Sequence, residues 1–192
     1  MTRSRIEAFD QTAQALTDLA RLLRAGAEQL RHASAAYIGQ IRTPNGVEWE
    51  GRAAVAALYT AAVDESELNR GLDHAHNMAD IAEQGGIYLL GAREHTLGAI
   101  TVAEDDGFIV GENLSVRDAR AWRSAAHRAA RLQAAAAHRD YIAHCAARLE
   151  AENERIAARL SAGAAEMATM APAHWREPIT TFGQPAPCEP GV

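Results

Sequence analysis

Pro44-Asn45-Gly46-Val47-Glu48-Trp49-Glu50-Gly51 separates two long helical patterns and sets the fold. Pro44 ends the segment before it, because it lacks an N–H and clashes with the preceding turn. Asn45-Gly46 supplies the turn residues. The Trp-x-Gly that follows places an indole beside a glycine at the tip of a helical hairpin. That pairing predicts two helices closing tightly over one large ring.

Upstream, the first segment runs from about Arg5 to Ile41. Its apolar seam is Ile6, Phe9, Ala13, Leu16, Ala20, Leu23, Ala27, Leu30, Ser34, Tyr37 and Ile41. The steps alternate three and four, a heptad pattern sustained for roughly five repeats. Leu19 and Leu22 widen the stripe, so the helix reads as a bundle helix with more than one neighbour. Ser4 is the expected N-cap, with Glu7 completing a capping box.

Downstream, a second helix is expected from about Glu48 into the low 90s. Its face is thinner and richer in alanine: Ala54, Leu58, Ala61, Leu68, Leu72, Ala75, Ala79 and Ala82. Gly85-Gly86 is a candidate kink. From Gly98 the β-branched runs Ala99–Ala103 and Gly107–Val110, joined by Glu104-Asp105-Asp106-Gly107, read as a β-hairpin over about 98–111. Ser115 is the expected cap of a third helix reaching Met170. Its distal seam is Ile142, Cys145, Leu149, Asn153, Ile156, Leu160, Gly163, Met167 and Met170. A Pro-rich tail or linker occupies 172–192. The expected fold is mainly all-α: an elongated antiparallel bundle of three helices over residues 1–171, with a small β-hairpin between the second and third.

Composition narrows the function classes. A 48% apolar fraction is ample for a core, but aromatics make up only 5%, so small residues supply much of it. That suits closely packed helices. All 19 basic residues are arginine, the net charge is −6 and no basic block occurs, which argues against nucleic-acid binding. Met1 to Asp10 is polar and helix-like, unlike a cleaved secretory leader. No apolar run is long enough for a membrane span. Cys145 sits in a helical seam and Cys188 in the Pro-rich tail, so the pair is no disulfide framework.

Catalytic patterns are sparse. His74 and His76 point to different sides of a helix, and His138 and His144 are also off the three/four spacing. Asp73 with His76 and Asp140 with His144 are helix-surface pairs lacking a third ligand. His138-Arg139-Asp140 imitates a kinase catalytic loop but lies inside an alanine-rich helix, with no Gly-rich loop and no Asp-Phe-Gly. Cys145 reads as a small core residue rather than a nucleophile. Glu104-Asp105-Asp106 reads as a solvated turn rather than a calcium loop. No nucleotide-binding glycine motif is present. The expectation is a non-enzyme with no cofactor and no metal.

Trp49 and Gly51, set between two long helices, resemble the WXG100-like substrates of type VII (ESX) secretion in actinobacteria. The hairpin and long third helix resemble the longer single-chain version, which often precedes a toxin or hydrolase domain. The resemblance spans residues 1 to about 171, with a two-residue motif. It implies a targeting and interaction module that leaves the cell without a cleaved leader, with Trp49 and Gly51 as the tip that is read. It also implies a homodimer or a small helical-hairpin partner, and a secretion ATPase. Ile6, Phe9, Leu16, Leu23, Leu30, Tyr37, Leu149, Ile156 and Leu160 are the expected pairing seam. The family's export signal, Tyr-x-x-x-Asp/Glu, is absent at Tyr37, Tyr59, Tyr88 and Tyr141, which are followed four residues later by Ile41, Val63, Ala92 and Cys145. Either a partner chain supplies that signal, or the protein is not exported by this route. The alternative is a cytoplasmic helical scaffold or chaperone-like coiled-coil protein.

Overall fold

The computed structural model describes residues 1–170, and the Pro-rich segment expected over 172–192 lies outside them. Three long helices dominate: α1 (Arg3–Arg42), α2 (Arg52–Asp105) and α3 (Ala125–Met170). Strands β1 (Phe108–Val110) and β2 (Val116–Asp118) form an antiparallel pair between α2 and α3. The expected class, mainly helical with a small hairpin insertion, is what the chain adopts.

α1 and α3 both pack against α2. At 54 residues α2 would extend about 80 Å if straight. The three helices share one core near the hairpin: Ile6 and Phe9 from α1, Leu89 and Ile100 from α2, Ile142, Leu149 and Ile156 from α3. Farther along, Ala20 meets Ala79 and Ala82, and Ala27 meets Leu72 and Ala75. The heptad seam of α1 is therefore buried or half-buried as far as Ala27. The described part of α3 reaches Met170, and past that level the described residues of α1 and α2 form a two-helix arm. On the same seam Leu30 and Tyr37 are exposed.

Gly85-Gly86 does not kink α2. Both glycines are buried where neighbours come close. A Cβ on Gly85 would stand 2.8 Å from Cγ2 of Ile156, and one on Gly86 3.0 Å from the carbonyl oxygen of Ala13. Gly85→Ala is expected to destabilise the fold by about 1–3 kcal/mol despite alanine's better helix propensity, because Ile156 is stiff and buried. Ile156→Leu, which lacks the γ2 methyl, should recover part of that loss in a double-mutant cycle read by urea melts. Additive losses would show that the two side chains do not meet.

Three boundaries differ from expectation. Residues 99–105 are the last turns of α2, not a strand: Thr96, Ala99, Ile100 and Ala103 are buried at helical spacing. Gly107 (φ +81°) follows and lets the chain leave the helix. The hairpin is therefore β1 with β2, in the register Phe108↔Asp118, Ile109↔Arg117, Val110↔Val116. Ser115 consequently leads into β2, and α3 is capped by Ser124, whose hydroxyl accepts from the His127 N–H at 3.1 Å. At α1 the N-cap is Thr2, which accepts from the Arg5 N–H at 3.2 Å, not Ser4. Ser4 instead donates to the Glu112 carboxylate through both its N–H (2.9 Å) and its hydroxyl. These bonds hold the Glu112 carboxyl below the usual carboxylate range, the hydroxyl bond contributing most. The hairpin loop thus caps α1, an electrostatically favourable place for a carboxylate.

Candidate functional site

The tip of the arm is built by local rules. Pro44–Gly46 forms one 3-10 turn, in which Asn45 (φ +56°) and Gly46 (φ +78°) occupy left-handed backbone. Gly51, at the N-cap of α2, has φ +107° and ψ −178°, a region open essentially to glycine alone. Trp49 lies between them and is 37% exposed. Its Nε1–H donates to the carbonyl oxygen of Ile41 at 2.6 Å. That carbonyl belongs to the last turn of α1, where backbone acceptors have no helical partner. The indole therefore ties the tip loop to the end of α1 while leaving part of its ring to solvent.

Sequence reasoning missed what runs back from the tip along α2. Val55, Tyr59 and Val63 stand at i, i+4 and i+8 and are 67%, 73% and 43% exposed. They form one apolar stripe. The 3.6 period carried the signal, but attention to the alanine face hid it. On α1, Tyr37 lies 53% exposed.

The expected pairing seam divides. Ile6, Phe9, Leu149 and Ile156 are buried in the chain's own core, and Leu16, Leu23 and Leu160 are partly buried against it. A partner cannot reach the first four without unfolding the bundle. Leu30 and Tyr37 are the seam members that stand open.

At the opposite end sits a buried ion pair. Asp118 (side chain 2% exposed) and Arg131 (15%) meet through two prongs, Nη2 to Oδ1 at 2.7 Å and Nε to Oδ2 at 3.1 Å. Arg131 also donates to the carbonyl oxygen of Asp106 at 3.1 Å, and its guanidinium lies 3.7 Å from the Phe108 ring centroid. The Trp122 indole N–H donates to Asp118 at 3.1 Å. All these groups are held by one another, which marks a structural clamp between hairpin and α3.

Four of the histidines are likewise paired within the chain. His74 bonds the Gly163 carbonyl at 2.8 Å, His76 the Leu72 carbonyl at 2.9 Å, His138 the Asp106 carboxylate at 2.9 Å and His95 the Tyr141 hydroxyl at 3.1 Å. Among the described residues no three His, Cys, Asp or Glu side chains converge on a point. No helix among them is long and apolar enough to cross a membrane. Cys145 is a buried free thiol, and Cys188 lies outside the described residues.

The class defined so far is an elongated three-helix protein with a two-helix arm and a clamped hairpin at its base. Comparison adds relatives without described functions. The chain is 32% identical over 111 residues to uncharacterized proteins of Mycobacterium bovis and of two strains of Mycobacterium tuberculosis. The match covers 57% of this chain but 34% of each relative, so the chain spans about a third of the curated relatives' length. No family model matches the sequence, and no solved structure matches it.

Proposed function

We propose that the protein is a non-enzymatic targeting and interaction module associated with type VII secretion, with the arm tip as the element that is read. The observation that carries this reading is the Trp49 indole bonded to Ile41 at 2.6 Å: it fixes the Trp-x-Gly loop in one shape and keeps the ring half-exposed. Gly51 supports it, since its backbone conformation admits no other residue without strain. The mycobacterial relatives support an actinobacterial setting. A protein partner with an apolar helix face, either a small helical hairpin or a second copy, would cover Tyr37 and the Val55-Tyr59-Val63 stripe. The secretion ATPase would act on that assembly, and the destination would be the cell surface or medium.

Trp49→Ala separates recognition from stability. Its loss frees an acceptor that water can reach, so the expected stability change is within about 1 kcal/mol. Export should nevertheless fail. The test is a culture-filtrate assay in the native host with wild type, Trp49→Ala and a strain lacking the type VII ATPase. Wild-type protein in the filtrate, absent from the other two, is the expected result. Equal retention in all three cell pellets would overturn the export reading and leave an intracellular helical scaffold.

A further inference from the structure

We propose that the base of the molecule, around the β-hairpin and the start of α3, is a docking surface for an anionic phospholipid bilayer. This is independent of the secretion reading. Residues 117–131 carry five arginines and one carboxylate, in a chain whose net charge is −6. That carboxylate, Asp118, is taken up by the two-pronged bond from Arg131. Arg117, Arg120, Arg123 and Arg128 are all exposed, and none has a carboxylate within ion-pair distance among the described residues. Neighbouring acids are engaged elsewhere, Asp106 with His138, Glu104 with Arg3 and Glu112 with Ser4, which leaves only Asp105 open beside them.

The fold gathers these charges. Asp118 also accepts from the Arg120 N–H at 3.2 Å and from the Trp122 indole at 3.1 Å, so the loop curls around it. The Arg120 guanidinium lies over Gly107, in the space a Cβ there would need. That of Arg128 is 4.5 Å from the Trp122 ring centroid. The placement is unfavourable for the helix itself. Arg123 and Arg128 flank the N-terminus of α3, where the macrodipole favours carboxylates and the first turn holds none. An anionic partner would offset that repulsion. The apolar side chains select which partner. Trp122, between Arg120 and Arg123, is 46% exposed, and Ile109, 41% exposed, pairs with Arg117 on the outer face of the hairpin. An indole beside guanidinium groups suits the headgroup level of a bilayer, where the ring meets an apolar layer and the charges stay wet. The four guanidinium groups belong to a strand, a loop and a helix rather than to one track. A surface of independent phosphates therefore fits them better than a single nucleic-acid strand does.

Vesicle flotation provides the test. The chain should float with phosphatidylcholine vesicles that contain phosphatidylglycerol and not with phosphatidylcholine alone, and binding should fall as salt rises. Arg117→Gln and Arg123→Gln change exposed side chains outside the clamp, so helicity by circular dichroism should not change. Each should weaken binding about fivefold, and the pair about twenty-five-fold. Arg159→Gln is the control: Arg159 is exposed and lies about 40 Å farther along α3 than Arg131. It makes the same charge change and should leave binding as it was. The emission of Trp122, taken as the difference from a Trp122→Phe variant, should shift to the blue on the anionic vesicles. Equal losses in Arg159→Gln and Arg123→Gln would overturn the proposal, because net charge and not this surface would then set the binding. So would a chain that floats with neither vesicle, or one whose same arginines hold a single-stranded oligonucleotide in preference to the anionic vesicles.

Discussion

Leu149→Ala is expected to lower stability by about 2–5 kcal/mol, a large fraction of what holds a domain of this size together. Leu149 is fully buried where all three helices meet, in one cluster with Ile6, Phe9, Leu89, Ile142 and Ile156. The truncation leaves a cavity walled by three separate helices, and none of these walls can move in without disturbing its other contacts. Leu30→Ala removes the same atoms from the same class of heptad position, yet Leu30 is 54% exposed. Its expected cost is within about 0.5 kcal/mol. Urea melts of the pair should show the midpoint falling steeply for Leu149→Ala alone, with the slope unchanged. Similar midpoints for the two variants would mean that the core does not close around Leu149.

That contrast marks how far the sequence could be read. The alternation of three and four residues identified α1 and the distal half of α3, and buried side chains occupy part of each seam, Ile6 to Ala27 in α1 and Ile142 to Ile156 in α3. Periodicity reports which face is apolar. It does not report which neighbour covers the face, so core residues and open residues shared one seam. Which stretch of each helix lies alongside its neighbours decides between them, and that is a tertiary fact. The hairpin was misplaced for a related reason. Ile100-Thr101-Val102 carries strand-like β-branching, but burial of Thr96, Ala99, Ile100 and Ala103 keeps the helix going. The tip was readable because turns are local: Asn45, Gly46 and Gly51 announce unusual backbone in their residue types. The bond from Trp49 to Ile41 and the stripe Val55-Tyr59-Val63 needed the folded arm.

Loss of the Asp118–Arg131 clamp is the other large effect. Asp118 lies thirteen residues before Arg131, and the intervening chain leaves β2 and enters α3, so no helical spacing foretold their meeting. The two-pronged bond from Arg131 holds the Asp118 carboxyl well below the ordinary carboxylate range. Burial opposes this, while the Arg120 N–H and the Trp122 indole assist. Asp118→Asn keeps the shape, removes the charge and leaves the Arg131 guanidinium partly buried without its counter-ion, an arrangement that is strongly unfavourable. The expected result at pH 7 is a melting temperature lower by several degrees.

The pH dependence follows from the direction of the shift. A carboxyl whose folded pKa is depressed stabilises the fold fully above its unfolded value, about 3.9, and loses that contribution as pH falls toward the folded value. The gap between wild type and Asp118→Asn should therefore be constant from pH 7 to about 5 and shrink steadily below about 4. Because Glu112 in the hairpin loop caps α1, the damage should also travel. Amide exchange should quicken at Val110 and Val116 and at Ser4, on the order of tenfold or more, before it does so at Leu149. Equal melting temperatures at pH 7, or a gap that persists unchanged to pH 2, would show that the ion pair does not hold the hairpin to α3.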